Sequence, residues 1–228
     1  MTIGGIQKFS TVDYPGYTVA AVFTVGCNMR CGYCHNPELV LPEQYAGGIP
    51  EEEIFEFLEK RRGLLDGVAI SGGEPTQQAD LPDFIRRCKT MGFRIKLDTN
   101  GTNPEMLREL LDENLLDFVA MDIKGPLEKY SQIAARPVNL DAIQESIQLI
   151  KTIDHEFRTT VVKGQLEPND FEKIGELVRG ADRFALQYFV ASGNLVSQQF
   201  RREESFSVAE MAMVRETMLG YVKECVVH

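Results

Sequence analysis

Apolar positions along the chain fall into two periods that take turns. Short runs rich in β-branched and aromatic residues recur at Val19–Val25, Gly67–Ser71, Phe93–Asp98, Phe118–Ile123, Phe157–Val162 and Phe184–Val190. Each is short and bounded by turn residues, as expected of a buried strand. Between them the apolar residues return at helical spacing. Pro50-Glu51-Glu52-Glu53 opens a helix with acids in its first turn, running through Ile54, Phe55, Phe57 and Leu58 to Arg61-Arg62-Gly63. Leu81–Met91 sets Leu81, Phe84, Ile85 and Cys88 on one face. Pro104–Glu113 has Asn103 as N-cap and Pro104 at its first position. Further helices are predicted at Asp141–Lys151, from Asn169 or Asp170 to Arg179, and at Val208–Cys225.

Six strand-then-helix units imply an α/β fold whose strands run parallel with right-handed crossovers. A flat doubly wound sheet and a barrel both fit. Polar residues that look chemical fall at four consecutive strand ends: the cysteines after the first, Ser71-Gly72-Gly73-Glu74-Pro75 after the second, Asp98-Thr99-Asn100-Gly101 after the third, and Asp122 with Lys124 after the fourth. One site fed by four neighbouring strands requires a curved sheet, which predicts a partial (β/α)6 barrel. The expected layout is one domain over 1–228. Residues 1–18 pack on the barrel, 19–190 form it, and a closing helix spans about 207–225.

Composition narrows the class. A chain of 228 residues can bury about 70% of its unfolded surface in one core. Hydrophobic content of 43% with 25% charged residues is that of a water-soluble globular protein. No apolar stretch approaches a membrane span and the polar start Met1-Thr2-Ile3-Gly4-Gly5 is no signal peptide, so a cytoplasmic location is expected. A net charge of −10 argues against nucleic acid as the main partner.

The chemistry concentrates in Gly26-Cys27-Asn28-Met29-Arg30-Cys31-Gly32-Tyr33-Cys34-His35-Asn36, just after the first strand. Three thiols at C-x3-C-x2-C spacing can converge on one centre. Three thiolates hold three corners of a cubic [4Fe–4S] cluster and leave the fourth iron open. A disulfide fits poorly, because an odd set of crowded thiols in a chain without an export signal points to a reducing compartment. Zinc is the better rival, but a closed site needs a fourth ligand, and His35 adjoins Cys34 too directly to close the same tetrahedron without strain. The spacing favours iron–sulfur and leaves zinc as the alternative.

Cys27-x3-Cys31-x-Tyr33-Cys34 together with Gly72-Gly73-Glu74-Pro75 resembles the radical S-adenosylmethionine superfamily, whose members have a partial (β/α)6 barrel. The opening Ile6-Gln7-Lys8-Phe9-Ser10-Thr11-Val12-Asp13-Tyr14-Pro15-Gly16, with Phe23-Thr24-x-Gly26-Cys27-Asn28 and Cys34-His35-Asn36-Pro37, is similar to the glycyl-radical-enzyme activases, and among them to those serving anaerobic ribonucleoside-triphosphate reductase. The resemblance implies a [4Fe–4S] cluster on Cys27, Cys31 and Cys34, S-adenosylmethionine as cofactor, a glycyl radical enzyme as partner and a flavodoxin- or ferredoxin-type electron donor. It also implies that Tyr33 lies against the adenine, a flat face suited to stacking. His35 lies near the ligand, and the Gly72-Gly73-Glu74 stretch meets the methionyl amino group, the glycines letting backbone come close. Asp122 and Lys124 share one side of an extended chain and bind the cofactor. The resemblance to the pyruvate formate-lyase type of activase implies that Asp98, Thr99 and Asp122 hold a monovalent cation, which an oxygen-only set suits, with a solvated structural carboxylate as the alternative for Asp98.

Arg158, a charge inside an apolar strand, can meet a carboxylate in the pocket. Where some members carry a ribose-contacting His, this chain has Leu186-Gln187-Tyr188-Phe189, and Gln187 is the expected substitute. Cys88 reads as core, Cys225 has no visible partner, and His155 and His228 stand outside any constellation. The competing readings are a pyruvate formate-lyase-type activase, a small-molecule radical enzyme such as a 7-carboxy-7-deazaguanine synthase, and a zinc-binding protein without catalysis.

Overall fold

The computed structural model describes residues 1–228. Eight strands make one sheet in sequence order: β1 (Ile3–Ser10), β2 (Val19–Thr24), β3 (Gly67–Gly72), β4 (Arg94–Thr99), β5 (Phe118–Asp122), β6 (His155–Val161), β7 (Arg183–Tyr188) and β8 (Glu224–Val227). Strands β2 to β8 pair in parallel and β1 runs antiparallel to β2. The first and last strands do not meet, so the curl stays open. The six expected strands are β2–β7. Helices α1 (Pro37–Val40), α2 (Glu51–Glu59), α3 (Leu81–Thr90), α4 (Pro104–Asp112), α5 (Leu127–Ala134), α6 (Leu140–Ile150), α7 (Asp170–Leu177) and α8 (Val208–Leu219) connect them.

The strand register explains why the apolar runs are not uniformly apolar. On one face Val22, Ile70, Leu97 and Val119 lie side by side, as do Met121, Phe157 and Phe184, and all are fully buried. They form the main core with helix residues such as Leu58, Phe84, Leu107, Ile147 and Ile174. The alternate face carries small and charged residues: Ala21 beside Ala69 beside Lys96, Asp98 beside Ala120, and Asp122 beside Arg158 beside Ala185. Period-2 alternation sends this set into the barrel, where small side chains leave room and charged ones line it.

The lower end of the barrel is closed by Tyr14. It is 2% exposed and packs with Val19, Ala21 and Ala69, its ring 4.7 Å from that of Tyr17 and 5.6 Å from that of Phe118. The segment expected to pack on the barrel therefore does so as strand β1 followed by an aromatic plug. Phe9 and Val12 of the same segment are exposed.

One expectation needs correction. The closing helix stops at Leu219, and residues beyond Gly220 return as β8, which pairs with β7. The Ser207/Glu210 capping box starts α8 where expected, but Cys225-Val226-Val227 is a short β-branched run that completes the sheet edge instead of extending the helix. Helix α5, between β5 and α6, adds a turn-forming element that the spacing did not single out. No helix is long and apolar enough to cross a membrane.

Candidate active site at the strand ends

The loop from β2 to α1 carries the three cysteines, and backbone bonds hold it from several sides. Gly26 donates to the Leu39 carbonyl at 2.8 Å and Arg30 to that of Ala134 at 2.8 Å. The Arg30 guanidinium turns back to the carbonyls of Cys27 (2.5 Å) and Met29 (2.7 Å). From the far side, Val196 donates to the Cys34 carbonyl and Ser197 to that of Gly32, both at 3.0 Å. Cys27, Cys31 and Cys34 line one cavity of about 220 Å³ together with the ends of β3, β4, β5 and β6. Burial pushes the Cys27 thiol up to about 12 and raises Cys31 and Cys34 as well. Thiols so placed bind metal with release of protons. No three His, Cys, Asp or Glu side chains gather tightly enough to hold a single metal ion.

Gly72 and Gly73 line the cavity as expected, but the reason for two glycines is closer to hand than a ligand. Gly72 has φ +118°, and a Cβ there would stand 2.3 Å from the Thr24 nitrogen. A Cβ at Gly73 would stand 2.0 Å from the Gly26 carbonyl oxygen. The pair lets the β3 loop lie directly on the start of the cysteine loop, with Glu74 donating its N–H to the Gly26 carbonyl at 2.7 Å.

Glu74 is 1% exposed and its carboxylate is fully engaged. One oxygen accepts from the Thr76 hydroxyl (2.5 Å) and the Thr99 hydroxyl (2.7 Å), the other from the Asn100 N–H (2.6 Å). Burial raises its pKa against the pull of these donors. Glu74 and Thr99 thus tie the ends of β3 and β4 together at the cavity wall. Asn100, in the polar group at the end of β4, faces the site. Its amide nitrogen lies 2.9 Å from Asn28 Oδ1 and 4.0 Å from the Cys27 sulfur. Ser71, from the polar group at the end of β3, also lines the cavity, as does Thr160, which carried no sequence signal beyond its strand.

The opposite wall is a ladder of charge. Lys96 Nζ donates to Asp98 Oδ1 at 2.5 Å. Arg158 reaches from 3.6 Å of Asp98 Oδ1 to 2.9 Å of Asp122 Oδ1, and Lys124 Nζ donates to Asp122 Oδ2 at 3.1 Å. Side-chain exposure is 4% at Lys96, 15% at Asp98, 16% at Arg158 and 12% at Lys124, while Asp122 opens to the cavity at 35%. Burial is the largest influence and works to raise both carboxyls, but Arg158 together with Lys96 at Asp98, and with Lys124 at Asp122, more than offsets it and holds them below the ordinary range. Burial likewise works against the Lys124 ammonium, and Asp122 beside it wins, keeping it charged. Three cations against two anions leave this wall one positive charge in excess.

That arrangement bears on the expected monovalent cation. The carboxylates predicted to hold a monovalent cation are already matched by Lys96, Arg158 and Lys124. Lys96, mid-strand and without a sequence signal of its own, is the member of this set that the sequence reading missed.

The remaining expected residues divide. Tyr33 lines the cavity, its ring 6.3 Å from that of Phe200 and 6.0 Å from Lys124 Nζ. His35 lines it too, with Nε2 2.7 Å from the Val190 carbonyl oxygen. Gln187 is not among the lining residues; its amide oxygen lies 3.5 Å from the Thr160 hydroxyl, and Thr160 takes the wall position.

An open barrel with three cysteines and a positively charged wall at its strand ends defines the class. The sequence pattern of the Radical SAM superfamily matches residues 21–178, and the chain belongs to that superfamily. Its nearer relatives are activating enzymes. It is 38% identical over 196 residues to a candidate glycyl-radical enzyme activating enzyme of Methanocaldococcus jannaschii, covering 82% of this chain and 79% of that protein. It is 31% identical over 191 residues to the pyruvate formate-lyase 1-activating enzyme of Escherichia coli, covering 78% and 76%. Against the pyruvate formate-lyase-activating enzyme of Clostridium pasteurianum it is 36% identical and spans about half of that chain, 52%.

Among solved structures, Streptococcus suis SuiB superposes with a TM-score of 0.68 at 13% identity over 92% of this chain and 48% of SuiB. A domain of the Bacteroides vulgatus pyruvate-formate lyase-activating enzyme superposes with a TM-score of 0.57 at 16% identity, covering 71% of this chain and 98% of that domain. These two likenesses concern the fold. The superfamily works with a [4Fe–4S] cluster and S-adenosylmethionine, and the residues at hand fit both: three thiols on one loop facing a cavity, and a wall with excess positive charge for an anionic group.

Proposed function

We propose that this chain is a glycyl-radical-enzyme activase in which Cys27, Cys31 and Cys34 hold the [4Fe–4S] cluster and the rest of the cavity holds S-adenosylmethionine. The observation that carries the reading is the meeting of the three thiols with Asp98, Arg158, Asp122 and Lys124 on one cavity. When bound, this pair of cofactors supplies reductive C5′–S cleavage, giving methionine and a 5′-deoxyadenosyl radical that takes a hydrogen atom from a glycine Cα of the partner.

The chain's own residues set the stage for that step. Lys124 and Arg158, both cationic, face the methionyl carboxylate, and Asp122, paired with each of them, holds the two in place, while the Gly72-Gly73 backbone meets the amino group. Backbone at Gly72 and Gly73 and the Glu74 knot fix the floor. Asn100, near the Cys27 sulfur, tunes the cluster through a weak hydrogen bond. Tyr33 and His35 flank the nucleoside.

For the partner we propose anaerobic ribonucleoside-triphosphate reductase, supported by the likeness of the Ile6–Gly16 segment to activases of that branch. The Escherichia coli and Clostridium relatives favour a second partner, pyruvate formate-lyase. The test is anaerobic incubation of the reconstituted protein with each candidate, a one-electron donor of the flavodoxin or ferredoxin type and S-adenosylmethionine. A glycyl-type doublet in electron paramagnetic resonance on the reductase alone supports the first partner. A doublet on the lyase alone replaces it with the second. 5′-Deoxyadenosine without a doublet on either would contradict activase function.

A further inference from the structure

The unexpected member of the charged wall is Lys96. Its side chain is 4% exposed, it lies on the barrel-facing side of β4 two residues before Asp98, and its ammonium is 2.5 Å from Asp98 Oδ1. Its strand neighbours on that face are small or apolar: Ala69 on β3 and Phe118 on β5. A lysine is rarely buried so fully unless it neutralises a specific partner. Asp98 is the only carboxylate it touches, and Asp98 lies on the cavity wall while Lys96 stands behind it. Lys96 therefore acts on the cavity through Asp98: it fixes the carboxylate's position and sets the local charge balance.

We propose that in this protein the positive charge beside Asp98 is built into the chain as Lys96, with Arg158 next to it, so that S-adenosylmethionine binds without help from a monovalent metal cation. The inference rests on the cofactor assignment above and deepens it. A lysine ammonium and a bound alkali cation do the same electrostatic work on a carboxylate, but the lysine is always present and needs no free ion. It follows that cofactor affinity is independent of the alkali cation in solution, and that removing the ammonium creates the dependence. Lys96 is a positioning residue here, one shell away from the ligand.

The experiment measures S-adenosylmethionine affinity on the reconstituted cluster protein from the change it causes in the reduced cluster's paramagnetic resonance spectrum. Buffers of equal ionic strength contain potassium, sodium or only N-methylglucamine. For the unaltered protein the affinity is expected to agree within about twofold in all three. Lys96→Met is expected to bind about tenfold more weakly in N-methylglucamine, the scale of one unmatched buried charge, and to recover in potassium or sodium. Lys96→Gln serves as a second variant that keeps a polar contact, and cluster content with thermal melting checks folding of both. Affinity of the unaltered protein that rises severalfold with potassium or sodium overturns the proposal and needs no variant. So does a Lys96 variant that binds normally without alkali cation, or one whose loss no cation repairs. A cluster spectrum indifferent to S-adenosylmethionine in the unaltered protein is a different failure, that of the cofactor assignment itself.

Discussion

Single residues at this site carry more than one duty, and the glycines show it most sharply. Gly73 reads in the sequence as room for a ligand, yet its Cβ would collide with the Gly26 backbone oxygen at 2.0 Å. Neither partner is a flexible side chain, so relief requires a backbone shift. Gly73→Ala is expected to cost about 3 kcal/mol or more and to lower cluster occupancy, measured by chemical denaturation and iron content. The charged wall makes a second prediction. Asp98 and Asp122 have depressed folded-state pKa values, so their stabilisation is present above the ordinary Asp value of about 3.9 and is lost as pH falls through the lower folded values. The difference in Tm between the unaltered protein and Asp122→Asn should therefore stay constant from about pH 5 to about pH 9 and shrink only below about pH 4. A difference that vanishes near neutrality would mean the ladder is not ionised as drawn. Arg158→Gln leaves two carboxylates short of their shared cation and is expected to destabilise by about 3 kcal/mol while abolishing cofactor binding.

At the scale of elements, the strands were legible because their buried outer face is apolar at nearly every second position. Their ends shifted by two residues at most, with little effect on which residues reach the site. What escaped was harder to see by its nature. Lys96 sits mid-strand, where a lone charge looks like a surface position until the barrel closes around it. β8 is four residues long and follows a helix whose pattern carries smoothly into it. Asn100 stood among the strand-end polar residues, but nothing in the sequence aims its amide at Cys27. Gln187 was placed by analogy, one neighbour away from Thr160, which holds the wall. The segment after β7 was also unreadable as a site element, yet it braces the cysteine loop. Phe200 packs across Gly32, where any Cβ would lie 2.2 Å from its ring, and its ring stands 6.5 Å from that of Phe189. Phe200→Ala is expected to leave the barrel folded and to speed oxygen bleaching of the cluster severalfold, followed by visible absorbance in air. Bleaching at the unaltered rate would show that this segment does not shield the loop.

For the whole molecule, the arrangement separates stability from chemistry. The outer face of the sheet and the helices supply the core, Tyr14 closes one end, and the small-and-charged inner face leaves a cavity at the other. Tyr14→Ala is expected to cost about 3–5 kcal/mol by opening the plug, without altering the order of the strand-end loops.

The most direct measurement is anaerobic reconstitution with iron and sulfide, followed by dithionite reduction with and without S-adenosylmethionine. The account predicts about four iron atoms per chain, a reduced-cluster signal that shifts when S-adenosylmethionine is added, and release of 5′-deoxyadenosine. Serine at any one of Cys27, Cys31 or Cys34 removes all three. A colourless protein holding one zinc per chain, with no response to S-adenosylmethionine, would contradict it.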